Sequence, residues 1–208
     1  KSQPLKIAQW LLALLLCGIT IFFVLDRWHL LDPILENPSA RQKQIMEYSK
    51  LGHANPGEET VNLNTLFFSV LHEQQVDFNH EEITTKLEVS DDLNVVAEDF
   101  HIYSIVQNLV VNARDAVVER SDNEKKEIVV RAGGEPSDWW LEVEDSGIGI
   151  PKEAQGQMFA AFYSTKPETG TGLGLGMVEK LASLYGGTIS FESDVGKGTT
   201  FRIDFRIL

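Results

Sequence analysis

The chain has 208 residues, of which 43% are hydrophobic, and this is enough apolar material for one or two domains with a buried core. Its formal net charge of -13 excludes an extended nucleic-acid-binding surface, because such surfaces depend on clustered Lys and Arg side chains. Cys17 is the one cysteine, so an internal disulfide is excluded and a reducing compartment is compatible.

The first predicted element is an apolar helix over residues 7–25, a run of nineteen residues without a charged side chain. A helix of that length spans roughly 28 Å, close to the hydrocarbon core of a bilayer. We therefore expect a transmembrane helix here, and the alternative is a buried helix of a dimeric bundle. A signal peptide is disfavoured because no small-residue cleavage site follows the run.

The next stretch, residues 26–58, is polar and contains several prolines. Within it, residues 39–52 are predicted to form a helix that begins after a proline and ends at a glycine. We assign residues 1–58 to an N-terminal helical region that ends in a linker. Residues 59–208 are assigned to a separate domain.

In that domain, helical and strand patterns follow one another. Helical apolar spacing predicts helices over residues 63–78, 99–120 and 173–184. Alternating apolar residues predict strands over residues 83–89, 94–98, 126–131, 139–144, 188–192 and 199–207. A turn is predicted around Gly133, Gly134 and Pro136. The pattern predicts an α+β fold, a two-layer α/β sandwich in which helices cover one face of a mixed sheet.

The second of these helices carries an unusual polar stripe. Asn108, Asn112, Asp115 and Glu119 fall within an arc of about 60°, opposite the apolar side of the helix. Asparagine is a mediocre helix former, so two of them at positions i and i+4 indicate contact with a ligand, whereas a solvated face is the alternative. An amide oxygen is a hard donor that suits Mg²⁺.

A first glycine box, residues 145–149, follows the strand predicted over residues 139–144. It contains Asp145, Gly147 and Gly149. A buried carboxylate at a strand end accepts a hydrogen bond from the exocyclic amine of adenine, and such a site penalises guanine. The glycines let the backbone approach the base without a Cβ clash, although an ordinary turn is the alternative for this box alone.

A second glycine box, residues 170–176, precedes the last predicted helix. Its members are Gly170, Thr171, Gly172, Leu173, Gly174, Leu175 and Gly176. Consecutive backbone N–H groups here converge on an anion, and the N-terminal end of the helix directs its positive dipole at the same place. The apolar stripe of that helix follows at once, which disfavours a flexible linker.

Together the motifs resemble the N, G1, F and G2 boxes of sensor histidine kinases, over residues 61–208. The N box is Asn108 to Asn112, G1 and G2 are the two glycine boxes, and the F box contains Phe159 and Phe162. These kinases belong to the GHKL ATPase superfamily, which includes type II topoisomerases, a heat-shock chaperone and mismatch-repair ATPases. The resemblance implies a Bergerat-type ATP-binding fold with ATP and Mg²⁺ as cofactors.

The resemblance also implies a set of site residues. Magnesium is expected on Asn112, with Asn108 assisting. Thr165 and Lys166 are expected to reach the phosphates from an ATP lid, while Phe159 and Phe162 are expected to anchor its base in the core. The remaining expected ATP contacts are Asp115, Asp145, Gly147, Gly149, Gly170, Thr171, Gly172, Leu173, Gly174 and Leu175.

The activity so implied is that of a protein histidine kinase in a two-component system, which transfers the ATP γ-phosphoryl group to a histidine for relay to a response-regulator receiver domain. Residues 39–52 resemble the end of a second dimerisation helix, which implies a homodimer. The expected location is the inner (cytoplasmic) membrane, through residues 7–25, with the catalytic domain in the cytoplasm. A soluble cytoplasmic protein is the alternative, and no nucleic-acid partner is expected.

One departure from the family is the phosphoacceptor. The 208 residues contain no His-Glu-x-x-x-Pro-Leu sequence, and His29 is a weak candidate because it lacks the adjacent acid that would act as general base. An ATP-binding adaptor or pseudokinase of the same fold is therefore a second hypothesis. An anti-sigma-type serine kinase is disfavoured by the full F box. Asn108 stands where water-using ATPases carry a glutamate, which favours phosphoryl transfer to a side chain over hydrolysis.

Overall fold

A computed structural model describes residues 55–120, 125–164 and 171–206. Its strands are β1 Glu59–Asn62, β2 Thr84–Glu88, β3 Asn94–Ala97, β4 Glu127–Glu135, β5 Asp138–Asp145, β6 Thr188–Asp194 and β7 Gly198–Arg206. Its helices are α1 Leu63–Glu73, α2 Gln75–His80, α3 Asp99–Val118, α4 Lys152–Gln155 and α5 Gly174–Leu184. The helices predicted over residues 7–25 and 39–52 lie outside the described residues.

The main sheet of the described part has five strands in the order β2-β4-β5-β7-β6. Strand β2 pairs parallel with β4, whereas the other neighbours pair antiparallel, so the sheet is mixed. A smaller antiparallel pair joins β1 to β3. Helix α1 begins directly after β1, and its N-cap Asn62 accepts a hydrogen bond from Thr65 N.

The helices cover one face of the main sheet, as the sequence predicted. Along β5 and β7 the odd-numbered residues are buried, and the apolar ones among them join the inward residues of α1, α3 and α5 in one hydrophobic core. Trp139 and Phe205 stack inside this core with ring centroids 4.1 Å apart. On the opposite face, charged side chains pair across strands, for example Arg131 with Glu142 and Glu144. The predicted α+β sandwich is confirmed.

The hairpin between β4 and β5 differs from the prediction. The turn predicted around Gly133, Gly134 and Pro136 is smaller, because β4 continues through both glycines to Glu135. The Trp140 ring lies over Gly133, and a Cβ at that position would come within 2.9 Å of the ring. Gly133 therefore leaves room for a neighbouring aromatic side chain, whereas a Cβ on Gly134 would lie 2.4 Å from the Asp138 backbone oxygen.

Helix α5 ends where the sequence predicted. Gly186 has φ +66, and Gly187 N donates to Ala182 O at 2.8 Å, which satisfies one of the last carbonyls of the helix. The chain then enters β6 at Thr188. Within residues 55–120, 125–164 and 171–206, no helix combines the length and apolar character needed to cross a bilayer.

Candidate nucleotide-binding site

Asp145 is a buried carboxylate at the last residue of β5, with 6% of its surface exposed. Its Oδ1 accepts a hydrogen bond from Gly147 N at 2.7 Å, and the backbone of Thr199 also hydrogen-bonds to it. Burial raises the pKa of Asp145 to about 6, although both backbone hydrogen bonds act to lower it. The carboxylate is an acceptor kept largely from water, which is the group that a ligand amine requires.

The first glycine box packs against α3. A Cβ on Gly147 would lie 2.6 Å from the Ala116 carbonyl carbon, and Ile148 N donates to Ala116 O at 3.1 Å. On its other side, a Cβ on Gly198 would lie 1.9 Å from Asp145 O. The loop is therefore fixed between α3 and the start of β7, and glycine is required at both contacts.

Asn108 lies on α3 facing the start of α5. Its Nδ2 donates to Ser104 O at 2.7 Å and lies 3.7 Å from Met177 Sδ. Its Oδ1 faces Gly174, where a Cβ would come within 2.9 Å of that oxygen. The asparagine helix and the second glycine box are thus neighbours, and the Asn108 amide is oriented with its oxygen toward the glycine.

Asn112, one turn further along α3, is half-buried, and its side chain makes no hydrogen bond to the side chains or backbone of other described residues. Asp115 is differently placed, because its Oδ1 accepts a hydrogen bond from Arg114 Nη2 at 3.0 Å. Arg114 also binds Asp77 of α2 at 2.9 Å. Of the two, Asn112 has the freer side chain, whereas the Asp115 carboxylate is already engaged with a cation.

The two F-box phenylalanines occupy different environments. Phe159 packs edge-on against Phe191 and Phe201, at centroid distances of 6.3 and 6.4 Å. Phe162 is 68% exposed and has φ +66, so the expectation that it anchors the lid base in the core is wrong. The Phe162 backbone packs against Gly172, and a Cβ built on Gly172 would lie 2.5 Å from Phe162 C.

In the second glycine box, Gly172 has φ +66, a conformation that favours glycine, and Leu173 is buried. Leu173 N lies 3.4 Å from Thr171 Oγ1. Leu175 packs partly buried against the core. Helix α5 begins at Gly174, so its first backbone N–H groups lie next to Asn108.

The structure places the asparagine helix beside both glycine boxes. The asparagine helix contacts the first glycine box at Ala116 and the second at Gly174, and Phe162 contacts Gly172. His29, Thr165, Lys166 and Gly170 lie outside the described residues, so their predicted roles stay predictions.

Sequence reasoning missed three contributors to the site. Thr199 binds Asp145 through its backbone, Ala116 supports Gly147, and Met177 contacts the Asn108 amide. The Thr199 contact had a signal in the sequence, because Gly196 and Gly198 mark a tight turn before β7. A contact made by backbone atoms, such as that of Ala116, does not restrict the type of residue at that position, so the sequence cannot indicate it.

The arrangement suits a nucleotide and a divalent cation. Asp145 offers an acceptor for an amine, the amide oxygens of Asn108 and Asn112 are ligands of the class that Mg²⁺ prefers, and the N-terminal end of α5 favours phosphate. In the described part of the chain, no group of three or more His, Cys, Asp or Glu side chains is placed to hold a metal. Magnesium at this site would therefore need water and phosphate oxygens as additional ligands.

Comparisons with known proteins agree with this assignment. The family described as histidine kinase-, DNA gyrase B- and HSP90-like ATPase matches residues 97–207. Sensor histidine kinase ZraS of Escherichia coli (strain K12) is 33% identical over 146 residues, which cover 70% of this chain and 30% of that protein. The chain therefore corresponds to less than a third of the length of this curated relative.

Two solved structures show the same fold. The nucleotide-free catalytic domain of histidine kinase ThkA has a TM-score of 0.62 at 28% identity, and the match covers 72% of this chain and 95% of that one. A crystal structure of ThkA in complex with response regulator protein TrrA has a TM-score of 0.67 at 24% identity, and the match covers 88% of this chain and 52% of that one.

Proposed function

Because the chain belongs to the histidine kinase-, DNA gyrase B- and HSP90-like ATPase family, we propose that its described part binds Mg-ATP and transfers the γ-phosphoryl group to a histidine. Adenine would contact Asp145. The phosphates would lie at the start of α5, near Asn108 and Asn112.

The observation that carries the proposal is the convergence of two chemically different ends on one site. A buried acceptor, Asp145, lies at one end, and amide oxygens beside a helix N-terminus lie at the other. Both ends are held by α3, through Ala116 and through Asn108. In ATP, the adenine ring at one end of the molecule needs a hydrogen-bond acceptor. The metal-bound triphosphate at the other end needs metal ligands and a positive helix N-terminus.

Magnesium would be held by Asn112, with Asn108 as the second protein ligand. The fit rests on the Asn108 amide, whose nitrogen contacts Ser104 O and Met177 Sδ, so the oxygen is the atom left to face the phosphate region. When bound, the ion neutralises charge on the phosphate oxygens. The α5 backbone N–H groups orient the same phosphates and stabilise their negative charge.

Transfer to a histidine is favoured over hydrolysis because of Asn108. An amide cannot take the proton of an attacking water as a carboxylate can. Asp115 is the nearest carboxylate on the same face of α3, and its Oδ1 accepts from Arg114. The attacking group would therefore be a histidine side chain brought to the site, with His29 as a weak candidate from this chain.

We extend the proposal to the surroundings of the domain. A response-regulator receiver domain is the proposed partner that accepts the phosphoryl group, and a homodimer is the proposed assembly through residues 39–52. Residues 7–25 are proposed to anchor the chain in the inner membrane with the catalytic domain in the cytoplasm. The alternative is that the protein is soluble in the cytoplasm.

A second candidate function follows from the sequence itself, which contains no His-Glu-x-x-x-Pro-Leu box. In that case the chain binds ATP as an adaptor or pseudokinase and does not phosphorylate itself. The two functions share the nucleotide site and differ in the fate of the γ-phosphoryl group.

Incubation of the full chain with γ-labelled ATP and Mg²⁺ separates the two functions. The kinase proposal predicts a label that is acid-labile and base-stable, as phosphohistidine is, and that Asp145→Asn reduces. A companion His29→Ala chain tests the weak acceptor candidate. Normal ATP binding without any label, also when a separate phosphoacceptor domain is supplied, would contradict the kinase proposal and favour the adaptor.

A further inference from the structure

The Tyr185 hydroxyl is a meeting point of three segments. Tyr185 follows α5 directly, and its Oη accepts hydrogen bonds from Gly57 N at 3.2 Å and from Glu98 N at 2.9 Å. His101 Nδ1 lies 2.8 Å from the same oxygen, and its ring stands edge-on to the tyrosine ring. The hydroxyl therefore joins the segment before β1, the start of α3 and the end of α5.

The partners of this hydroxyl fix the protonation state of His101. The two backbone N–H groups can only donate, so they occupy the lone pairs of the phenol oxygen. The hydroxyl proton then needs an acceptor, and His101 Nδ1 is the acceptor within reach. Nδ1 accepts only when it carries no proton, so His101 is neutral with its proton on Nε2.

Protonation of His101 would break this arrangement. An imidazolium would present Nδ1–H to an oxygen that already accepts two hydrogen bonds, and the hydroxyl proton would lose its acceptor. Burial of the ring lowers the pKa of His101, and the Glu98 carboxylate opposes this by attraction to the cation. Among the described residues, Glu98 on the turn before α3 and the Tyr185 phenol are the titratable groups that face the ring.

The joined segments lead to the nucleotide site. Gly57 packs so closely on the β3–α3 connection that a Cβ would lie 2.1 Å from Glu98 N. Helix α3 carries His101 at one end and Asn108 two turns later, while α5 begins with Gly174 and ends next to Tyr185. A movement of the segment before β1 would therefore act on both helices of the site.

We propose that Tyr185 and His101 form a pH-sensitive latch that holds the segment before β1 onto α3 and α5. The latch is closed while His101 is neutral and opens when His101 takes up a proton. The attachment is a property of the protein without ligand and does not depend on phosphoryl transfer. Its failure in a test would leave the proposed function untouched.

Amide hydrogen exchange of the full chain without nucleotide tests the latch. We expect the protection of the Gly57 and Glu98 amides, relative to an unstructured peptide at each pH, to fall as the pH is lowered from about 7.5 to about 5. Tyr185→Phe keeps the ring and removes the hydroxyl, so these amides should exchange roughly fivefold faster or more at pH 7.5, as expected for one net hydrogen bond.

His101→Asn is the decisive variant, because its amide oxygen can accept the hydroxyl proton but does not titrate. It should keep the protection of Gly57 and make it independent of pH, whereas His80→Asn, at an exposed histidine of α2, should behave as the unmodified chain does. Imidazole nitrogen NMR should show the Nε2–H tautomer of His101 at pH 7.5. Protection that does not change with pH in the unmodified chain, or an Nδ1–H tautomer, overturns the proposal even if Tyr185→Phe fails to fold.

Discussion

At the scale of single residues, Asp145 is the group on which we propose that nucleotide recognition depends. It lies 6% exposed at the end of β5, and it accepts hydrogen bonds from the backbones of Gly147 and Thr199. The sequence pointed to Asp145, Asn108 and Asn112 because Asp and Asn in glycine-bounded or helical positions are recognisable by type, whereas it did not point to Met177, whose sulfur contacts the Asn108 amide.

Asp145→Asn should weaken ATP binding while the fold stays intact. The amide replaces an acceptor with a group that can present a donor to the adenine amine, and one such mismatch costs about 1–3 kcal/mol. Isothermal titration calorimetry measures the loss. Asp138→Asn, an exposed aspartate at the opposite end of β5, is the matched control and should bind ATP normally. An unchanged affinity in Asp145→Asn would remove this residue from the site.

The pKa of about 6 predicts opposite effects of pH on stability and on binding. The pKa of Asp145 in the folded chain lies above the ordinary aspartate value of 3.8, so this group contributes stability that is fully present below pH 3.8 and is lost as the pH rises through about 6. At pH 7.5, the free energy of unfolding of Asp145→Asn should therefore exceed that of the unmodified chain by up to about 3 kcal/mol, so the variant is the more stable of the two.

Denaturant unfolding at several pH values checks this, and the gap between the two chains should close toward pH 4. ATP affinity of the unmodified chain should instead fall below about pH 6, because the acceptor becomes protonated. A stability gap that is constant with pH would show that ionisation of Asp145 carries no cost in the fold.

Asn112→Ala should reduce nucleotide binding in Mg²⁺ by about 1–2 kcal/mol and leave binding in chelator nearly unchanged. Only the metal-dependent part of the affinity requires the amide oxygen. Parallel titrations with and without Mg²⁺ make the comparison within one variant. Equal losses under both conditions would indicate a packing defect in α3.

At the scale of elements, the site is an arrangement of two helices and a loop around β5. The sequence predicted α3, α5 and strands β2 to β7 from apolar spacing, but it did not predict β1 over Glu59–Asn62. It also predicted the polar stripe of α3 from the positions of Asn108 and Asn112. It did not predict that β4 runs through Gly133, where the glycine leaves room for the Trp140 ring of the neighbouring strand. Nor did it predict that the Phe162 side chain is exposed while its backbone packs against Gly172.

Gly172→Ala should weaken nucleotide binding because φ +66 disfavours a side chain and the added Cβ would lie 2.5 Å from Phe162 C. The strain should displace the second glycine box from the start of α5, at a cost of about 1–3 kcal/mol in binding. Gly156→Ala is the matched control, since nothing lies within 4 Å of a Cβ there and its φ is not positive. Calorimetric titration with ATP compares the two variants, and equal affinities would contradict this role of Gly172.

At the scale of the whole molecule, the chain is strongly acidic, and yet its proposed ligand is an anion. The net charge of -13 does not attract ATP, so we propose that binding comes from the local arrangement of Asp145, the amide oxygens, a cation and the α5 N-terminus. The fold places these groups together by packing both glycine boxes on α3. The spacing of the motifs in the sequence does not predict that both glycine boxes pack on α3, because residues 150–169 separate the two boxes.

The central claim is that this site recognises adenine through Asp145, and a nucleotide titration tests it most directly. The full chain in Mg²⁺ should bind ATP, and it should bind GTP more weakly by about 1–3 kcal/mol, because guanine leaves the buried carboxylate without its donor. Asp145→Asn should narrow this difference. Equal affinities for ATP and GTP, or a preference that survives Asp145→Asn unchanged, would contradict the assignment of the site.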